Sequence, residues 1–573
     1  MSRMPRLDLV LAWHMHQPEY RNLASGEFTQ SWVYLHAIKD YADMAAHLEH
    51  HPGMHAVVNF SPVLLDQIED YAAQFAGGPL RDPLLRLLTT EDLSGLAQKD
   101  RERVFEHCFR SDHDHLVAPY PHYRRLRDLF RLAGEPDANG LAYLSGDAFA
   151  DALVWYHLAW TGESVRREHE WIAHLLARGE GFSYADRRQI FELAGALVGG
   201  LVARYRRLTE RGQVELSASP HFHPLAPLLI APGAAREAEP GITLPRIDSY
   251  PGGRQRVLAH VTSALRSHAA RFDMPPAGMW PAEGAVSDAF LEILAAQPLR
   301  WAAAGEAVLA HSLRGARPGT GLPPRDDYLY RPYHASSPGN LVCFFRDDRL
   351  SDLIGFEYSK WDGKDAALHF MGELRAIARR LPDGERPVVS IVLDGENAWE
   401  YYAYNGFYFL DELYAQLEQD GDIQTTTFNA LLESQATRTR PLPGIVAGSW
   451  VYGTLSTWIG SPAKNRAWEL LAAAKHSFDL ALASSRLTEG ERVTAEHQLA
   501  ALEGSDWLWW LGDDNPTQSA NDFDCLFRLH LTNLYAMLKL PPPAELGYAI
   551  CRNSSRAGRP DTMRRSTPET MRP

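Results

Sequence analysis

PVVSIVLDGENAWE (387–400) is the stretch that decides the fold. Residues 387–393 are all apolar or small, without polar residues at alternate places. Such a strand has both faces buried, the condition of a parallel strand covered by helices. Where the run ends, Asp394, Gly395 and Glu396 follow at once. Two carboxylates are thus delivered to the carboxyl end of a buried strand, and Gly395 permits a sharp turn or a close approach.

The same grammar recurs in both directions. RLDLVLAWH (6–14), MHAVVNFSP (54–62), VELSAS (214–219), GMWPAEG (278–284), RWAAAGE (300–306) and LVCFFRD (341–347) also read as buried strands. Helical patterns separate them, such as YADMAAHLEHHPG (41–53) and VLLDQIEDYAAQF (63–75), and a long helical stretch at about 84–211 interrupts the alternation. Seven strands alternating with helices predict an α/β protein, either a layered sheet or a barrel. HMHQP (14–18), SPHFHP (219–224), WPAEG (280–284) and LDGEN (393–397) each fall where a strand runs out. In parallel barrels, chemistry collects at that end. Beyond about residue 410 the pattern turns helical, and the tail from 554 is polar, with the composition of a disordered segment. The expected organisation is a catalytic barrel over 1–410 with its insertion at about 84–211, a helical domain over 411–553 completing the site, and the tail 554–573.

Composition narrows the function classes. A net charge of −15 repels nucleic acid and anionic membrane surfaces but is indifferent to a neutral ligand. The four cysteines form no CxxC pair, which argues against a disulfide framework or a cysteine-rich zinc site. No apolar run approaches the ~20 residues of a membrane span. The N-terminal MSRMPRLDLVLAWHMHQ, with Asp8 early in a short apolar run, does not read as a signal peptide, so a cytoplasmic protein is expected. Tryptophan and tyrosine cluster beside acids, as in DWLWW and NAWEYYAYNGFYF. Such clusters suit a core, and they equally suit the flat C–H faces of sugars.

Glu283 and Asp394 lie on different strands. A pair of carboxylates suits glycoside cleavage, with one attacking the anomeric carbon or activating water while the other protonates the leaving oxygen. Each residue also has a plain reading, as a helix-initiating acid and a loop cap respectively, although Asn397 fills the capping role equally well. If Glu283 is the nucleophile, Asp394 needs a raised pKa, toward which Glu396 would contribute negative charge. His14 and His16, with His221 and His223, form two HxH pairs. On strands these would share a face and suit zinc or iron, implying a metal-dependent deacetylase or mannosidase. Neutral imidazoles also hydrogen-bond sugar hydroxyls. No obvious Asp ligand stands beside HMHQP, which argues against the metal.

Taken in order, HMHQP, HFHP (221–224), WPAEG and LDGENAWE (393–400) resemble the motifs of glycoside hydrolase family 57. STWIGSPAKNRAWE (456–469) resembles its fifth motif, and EGSDWLWW (503–510) and SWVYLHAIKDYADMAAHLE (31–49) are similar to its amylase and amylopullulanase branch. The resemblance implies an incomplete seven-stranded (β/α)7 barrel of TIM-like kind followed by a helical region. It implies a retaining mechanism on α-glucans, with no cofactor and no metal required. By motif, Glu283 is the nucleophile and Asp394 the general acid/base, while His14, His16 and His223 contact the sugar beside the cleaved bond. Trp280, Trp458, Asp506 and Trp507 are further expected substrate contacts, Glu396 belongs to the same group, and Arg346 is expected from its placement to orient a carboxylate. A hydrolase of α-1,4 and possibly α-1,6 links is the leading reading. A 4-α-glucanotransferase or branching enzyme is the alternative within the family; a metal-dependent deacetylase and a non-catalytic glucan-binding protein are the alternatives outside it.

Overall fold

The computed structural model describes residues 6–551, apart from 111–112, 135–138, 317–320, 336–338, 382–385, 435–437, 443, 513–514 and 516; the tail expected over 554–573 lies outside the described residues. Ten strands occur among them: β1 (Leu7–Met15), β2 (Ala56–Phe60), β3 (Val214–Ala218), β4 (Gly278–Met279), β5 (Trp301–Gly305), β6 (Tyr333–His334), β7 (Val342–Arg346), β8 (Val388–Asp394), β9 (Ile423–Thr425) and β10 (Arg440–Pro441). All nine residues of β1 are buried, as expected of a strand with neighbours on both sides and cover on both faces. It pairs in parallel with β2 on one edge and β8 on the other. From β2 the parallel sheet runs through β3, β4, β5 and β7, and β7 pairs with β8, closing a ring of seven strands. The closing seam is narrow, with Arg346 against Ser390 as its single registered pair. β6, β9 and β10 flank the ring: β6 runs antiparallel to β7, β10 joins β6, and β9 joins β1.

Period two sorts the strand residues into two cores. Val10, Ala12, Trp301, Ala303, Val342, Phe344, Val388 and Val392 face inward, and with Val57 and Trp280 they fill the barrel. Their neighbours, such as Leu9, Leu11, Val389 and Ile391, face outward and pack into the main core with the helices. Phe428 and Leu431, from the helix Phe428–Ser434, complete the inner core. Phe428 seats its ring 4.6 Å from Trp301 and 4.4 Å from Phe344. Gly278 has no room for a β-carbon, which would strike the Trp301 indole.

Between β2 and β3 the chain is helical, from Pro62–Phe75 to the 27-residue helix Tyr184–Glu210. Residue 410 lies inside the helix Phe407–Gln419, and β9 and β10 beyond it still join the sheet. The helices Pro462–Ala483, Glu489–Leu502, Ser505–Trp510 and Thr517–Met537 follow. They reach the barrel mouth through a bridge between Pro224 and Gly504. A buried ionic cluster anchors that contact: Glu503 accepts from Arg256, His260 and Tyr250 of the segment before β4. All four described cysteines are free, and no described helix is long and apolar enough to cross a membrane.

Candidate active site

The register of the parallel strands assembles the site. His14 stands directly opposite Asn59 of β2 and Asp394 of β8. All three continue the inward-facing alternation of their strands, through Val10–Ala12–His14, Val57–Asn59 and Val388–Val392–Asp394. Arg346 does the same after Val342 and Phe344. Sequence-distant polar groups therefore meet at the carboxyl mouth because period two and a common register put them there.

Glu283 arrives differently. β4 is only two residues long, and the chain turns at once into Ala282–Gly284. Glu283 adopts φ 58°, in the left-handed region, with Gly284 at φ 57° behind it. A non-glycine residue held there is strained, and such strain persists only where surrounding contacts impose it. Here the backbone N–H of Trp450 donates to the Glu283 carbonyl at 3.0 Å. Ser505 Oγ donates to Oε1 at 3.0 Å, and Trp450 Nε1 to Oε2 at 3.2 Å. Burial pushes the Glu283 carboxyl up to about 8, with the charges of Asp506 and Asp394 adding to it. Asp394 is also raised by burial, which outweighs the opposing pull of Asn397, His16 and Arg346. Asn397 Nδ2 donates to Asp394 Oδ2 at 2.8 Å.

Three imidazoles form the facing wall. His14 and His223 lie 5.0 Å apart between ring centres, and His16 and His223 lie 3.8 Å apart, all stacked. Burial holds His14 down to about 3 and His223 well below its ordinary value, so both are neutral. His14 Nδ1 bonds Asn59 Oδ1 at 2.7 Å, and His223 Nδ1 bonds Ser505 Oγ at 2.9 Å. Asn59 Oδ1 only accepts, so Nδ1 of His14 carries the proton; Ser505 spends its own on Glu283, so Nδ1 of His223 does too. Each Nε2 is then a buried acceptor with no hydrogen-bond partner among the described residues. His16 bonds Ser61 through Nδ1 and Asp506 through Nε2, at 2.8 and 3.0 Å. His223 lies at φ 55°, off any strand. Its HxH mate His221 therefore points elsewhere, to Asp66 and Ser263.

The cavity bounded by these groups has a volume of about 100 Å³, and it is completed by Phe356, Leu393, Trp450 and Trp509. His14, His16, His223, Glu283, Arg346, Asp394 and Glu396 all line it. Asp506 stands one layer back, against His16. Other expectations need correction. Trp458 and Trp507 do not line the cavity: Trp458 is wholly buried against Trp509, and Trp507 donates to the Ala501 carbonyl among Phe523 and Phe527. Trp280 lies behind the wall, 6.3 Å from His14 and 5.3 Å from Trp450. Arg346 bonds neither carboxylate of the pair. Asp348, Asp352 and the Val392 carbonyl hold its guanidinium, which acts on Asp394 through its charge alone. Glu396 accepts from the His16 N–H and Gln17. Its own carboxyl is pushed far up by burial and then by Asp394, and the rise of Asp394 comes from burial rather than from the Glu396 charge expected to supply it.

Sequence reading missed Trp450, Trp509, Phe356 and Asn397. Trp509 was findable: on a helix from Ser505, residues 505, 506 and 509 share a face while 507 turns away. An acid also stands where none was expected. His16, His223 and Asp506 bring donor atoms within 4.8 Å of one another, a set that could hold a metal ion. The stacking of the two rings, 25° from parallel, points their in-plane lone pairs alongside each other. A zinc ion at about 2.0–2.1 Å from both nitrogens needs those lone pairs to converge. The rings would have to rotate to bind one.

A parallel barrel with paired carboxylates and neutral histidines at its mouth has the groups that glycoside cleavage uses. The chain belongs to glycosyl hydrolase family 57, whose model matches residues 10–443. It is similar in fold to a branching enzyme from Thermococcus kodakaraensis, at 16% identity and TM-score 0.58, over 93% of this chain and 90% of that one. It is similar to a branching enzyme from Pyrococcus horikoshii at 15% identity and TM-score 0.55, over 97% and 100%. An α-amylase from Thermotoga maritima matches at 16% identity and TM-score 0.54, over 93% and 94%.

Proposed function

We propose that the protein cleaves α-glucans with retention of anomeric configuration, through a covalent glycosyl-enzyme at Glu283. The observation that carries this reading is the pairing of Glu283 and Asp394 across one small cavity walled by neutral imidazole acceptors and indoles. Burial raises both carboxyls, Glu283 to about 8, and each disfavours a second negative charge beside it. A glucan in the cavity sets the leaving oxygen beside Asp394, while positive charge develops at the anomeric carbon beside Glu283. That charge draws the negative form onto Glu283 and leaves the proton on Asp394. Glu283 then bonds the anomeric carbon as the glycosidic bond breaks and Asp394 protonates the departing oxygen. In the second half Asp394 takes a proton from the acceptor as the acceptor oxygen displaces Glu283. The free Nε2 atoms of His14 and His223 accept from ring hydroxyls, and Trp450 and Trp509 offer faces to the C–H surface.

Water as acceptor gives hydrolysis and a glucan hydroxyl gives transfer; the branching enzymes and the α-amylase of like fold stand for the two outcomes. The test is incubation with maltooligosaccharides and amylopectin, with products sized and reducing ends counted. New reducing ends with shorter chains indicate hydrolysis, and redistributed lengths without new ends indicate transfer. If neither occurs, or if activity needs stoichiometric zinc, the reading fails and the deacetylase alternative takes its place.

A further inference from the structure

The loop after β8 holds a strained pair of residues that the catalytic site does not use. Tyr404, Asn405 and Gly406 adopt φ of 53°, 55° and 73°, three left-handed residues in succession. A β-carbon at Gly406 would strike the Trp399 indole. Asparagine tolerates the left-handed region, but a bulky residue such as Tyr404 is strained there. Buried contacts hold the strain in place. Asn405 Nδ2 donates to Asp43 at 2.8 Å, and the backbone N–H groups of Glu163 and Ser164 fix Asp43 in turn. A glycine would make the turn at 404 without strain. Packing does not account for the tyrosine either, since Tyr404 is 58% exposed. Its ring meets that of Tyr408, itself 50% exposed, edge to face at 5.4 Å and 89°. Neither ring lines the catalytic cavity.

We propose that Tyr404 and Tyr408 form a surface platform that docks an α-glucan polymer outside the catalytic cavity. The identity of the ligand rests on the catalytic reading above. Continuity with the cavity is the first ground. The same loop lines the cavity with Asp394, Glu396, Asn397 and Ala398. Tyr404 follows six residues later, within about 22 Å of Ala398 by chain length alone. Between them, Tyr402 donates to the Ile354 carbonyl, beside Gly355 and Phe356 of the same cavity. A polymer emerging from the cavity can therefore be held at both places. Chemistry is the second ground. Two exposed phenol rings offer flat faces to C–H surfaces and hydroxyls at their tips. Arg167 donates to the Tyr408 hydroxyl at 2.8 Å, so that hydroxyl keeps its own proton for a sugar oxygen. The guanidinium also lies over the Phe407 and Tyr408 rings, which fixes the platform before any ligand arrives. Its charge is paired with Glu163, so it does not select an anion. Shape is the third. Rings at right angles make a corner, which suits a chain that curls, as α-1,4-linked glucose does, and not a flat ribbon.

Native electrophoresis of the full-length protein through gels of increasing amylopectin content measures the affinity, from the retardation. In Tyr404→Gly/Tyr408→Ala that affinity is expected to fall about 3- to 10-fold. Tyr404→Gly alone is expected to melt no more than about 2 °C below the wild type, because relief of strain offsets the lost ring contact. A larger fall shows that the fold itself needs Tyr404 and overturns the inference. Sedimentation velocity is expected to find the double variant in the same state of association as the wild type. A change there assigns the rings to a contact between copies and overturns it too. Equal, Tyr404-dependent retardation by hydroxyethylcellulose overturns the α-glucan assignment. If the wild type cleaves maltooligosaccharides but the double variant is retarded as strongly as before, the platform is overturned and the catalytic reading stands. Weakened retardation of the variant, in a protein whose wild type cleaves no glucan, supports the platform and overturns the catalytic reading. Neither cleavage nor retardation overturns both.

Discussion

Glu283 is enclosed, held at positive φ, and keeps its proton up to about pH 8. Its ordinary value is 4.5, so the folded state binds this proton more tightly than the unfolded chain. The stability it contributes is complete below about 4.5 and is lost as pH rises toward about 8. Glu283→Gln removes the ionisable group, so calorimetry is expected to find the variant gaining on the wild type between pH 5 and pH 8, while turnover is lost. A gain that does not grow with pH would contradict the assigned burial. The same shift governs activity, because kcat/KM reports the free enzyme. The acidic limb of its pH profile should lie well above the ordinary carboxylate range. Asp506→Asn removes one of the charges that raises Glu283 and is expected to move the limb down. Asp394→Asn should cost about 10²–10⁴ in rate, the span of general acid catalysis, with azide partly restoring it as an alternative nucleophile. At this scale the sequence was legible where strand ends carry acids, as at Glu283 and Asp394. It was not legible where role depends on neighbours: Glu396 and Asp394 lie two residues apart and both line the cavity, yet Glu396 accepts from the His16 backbone N–H and Gln17 while Asp394 accepts from Asn397.

The short helix Ser505–Trp510 decides much of the site, since Ser505 holds both Glu283 and His223, Asp506 holds His16, and Trp509 lines the cavity. Its two tryptophans at 507 and 509 should separate cleanly on substitution. Trp509→Ala is expected to raise KM, whereas Trp507→Ala should leave KM unchanged while costing about 3–5 kcal/mol of stability. Melting temperatures and steady-state kinetics of the pair check this, and the reverse pattern would reinstate Trp507 as the contact. Just before this helix, Glu503 is buried among Arg256 and His260. Burial alone would raise its carboxyl, but Arg256 and His260 outweigh it and hold it at about 2. Its stabilisation is therefore present above about 4.5 and is lost as pH falls toward about 2. Glu503→Gln leaves Arg256 with only the more exposed Glu496 as an ionic partner and should cost up to about 3–5 kcal/mol, measured by denaturant melts at pH 7. The DWLWW motif was visible in the sequence. Which of its rings meets solvent space depends on the helix's rotation, and that is set by contacts with Pro224, Glu283 and the helix Thr517–Met537.

Across the whole molecule a net charge of −15 surrounds a site whose intended ligand is neutral. KM for maltoheptaose should therefore vary by less than about twofold between 50 and 500 mM salt, where screening lengths shrink several-fold. A steep salt dependence would point to a charged substrate instead. The α/β class and its parallel strands were determined by local information, while closure of the sheet into a barrel was not. Seven buried runs, each too apolar for a half-exposed strand, leave parallel pairing under helices as the way to cover both faces, and period two then aims every second residue inward. The mouth residues His14, Asp394 and Arg346 follow from that same count. What came from tertiary structure alone is the partnership across long sequence gaps. Asp506 reaches His16 from 490 residues away and Ser505 reaches Glu283 from 222. Those contacts turn a row of strand-end side chains into a strained carboxylate, two neutral acceptors and the cavity they share. Strand direction and side-chain period are properties of neighbouring residues, and so they can be read along the chain. Proton affinity, ring orientation and cavity shape are properties of enclosure, which exists only once distant segments have packed together.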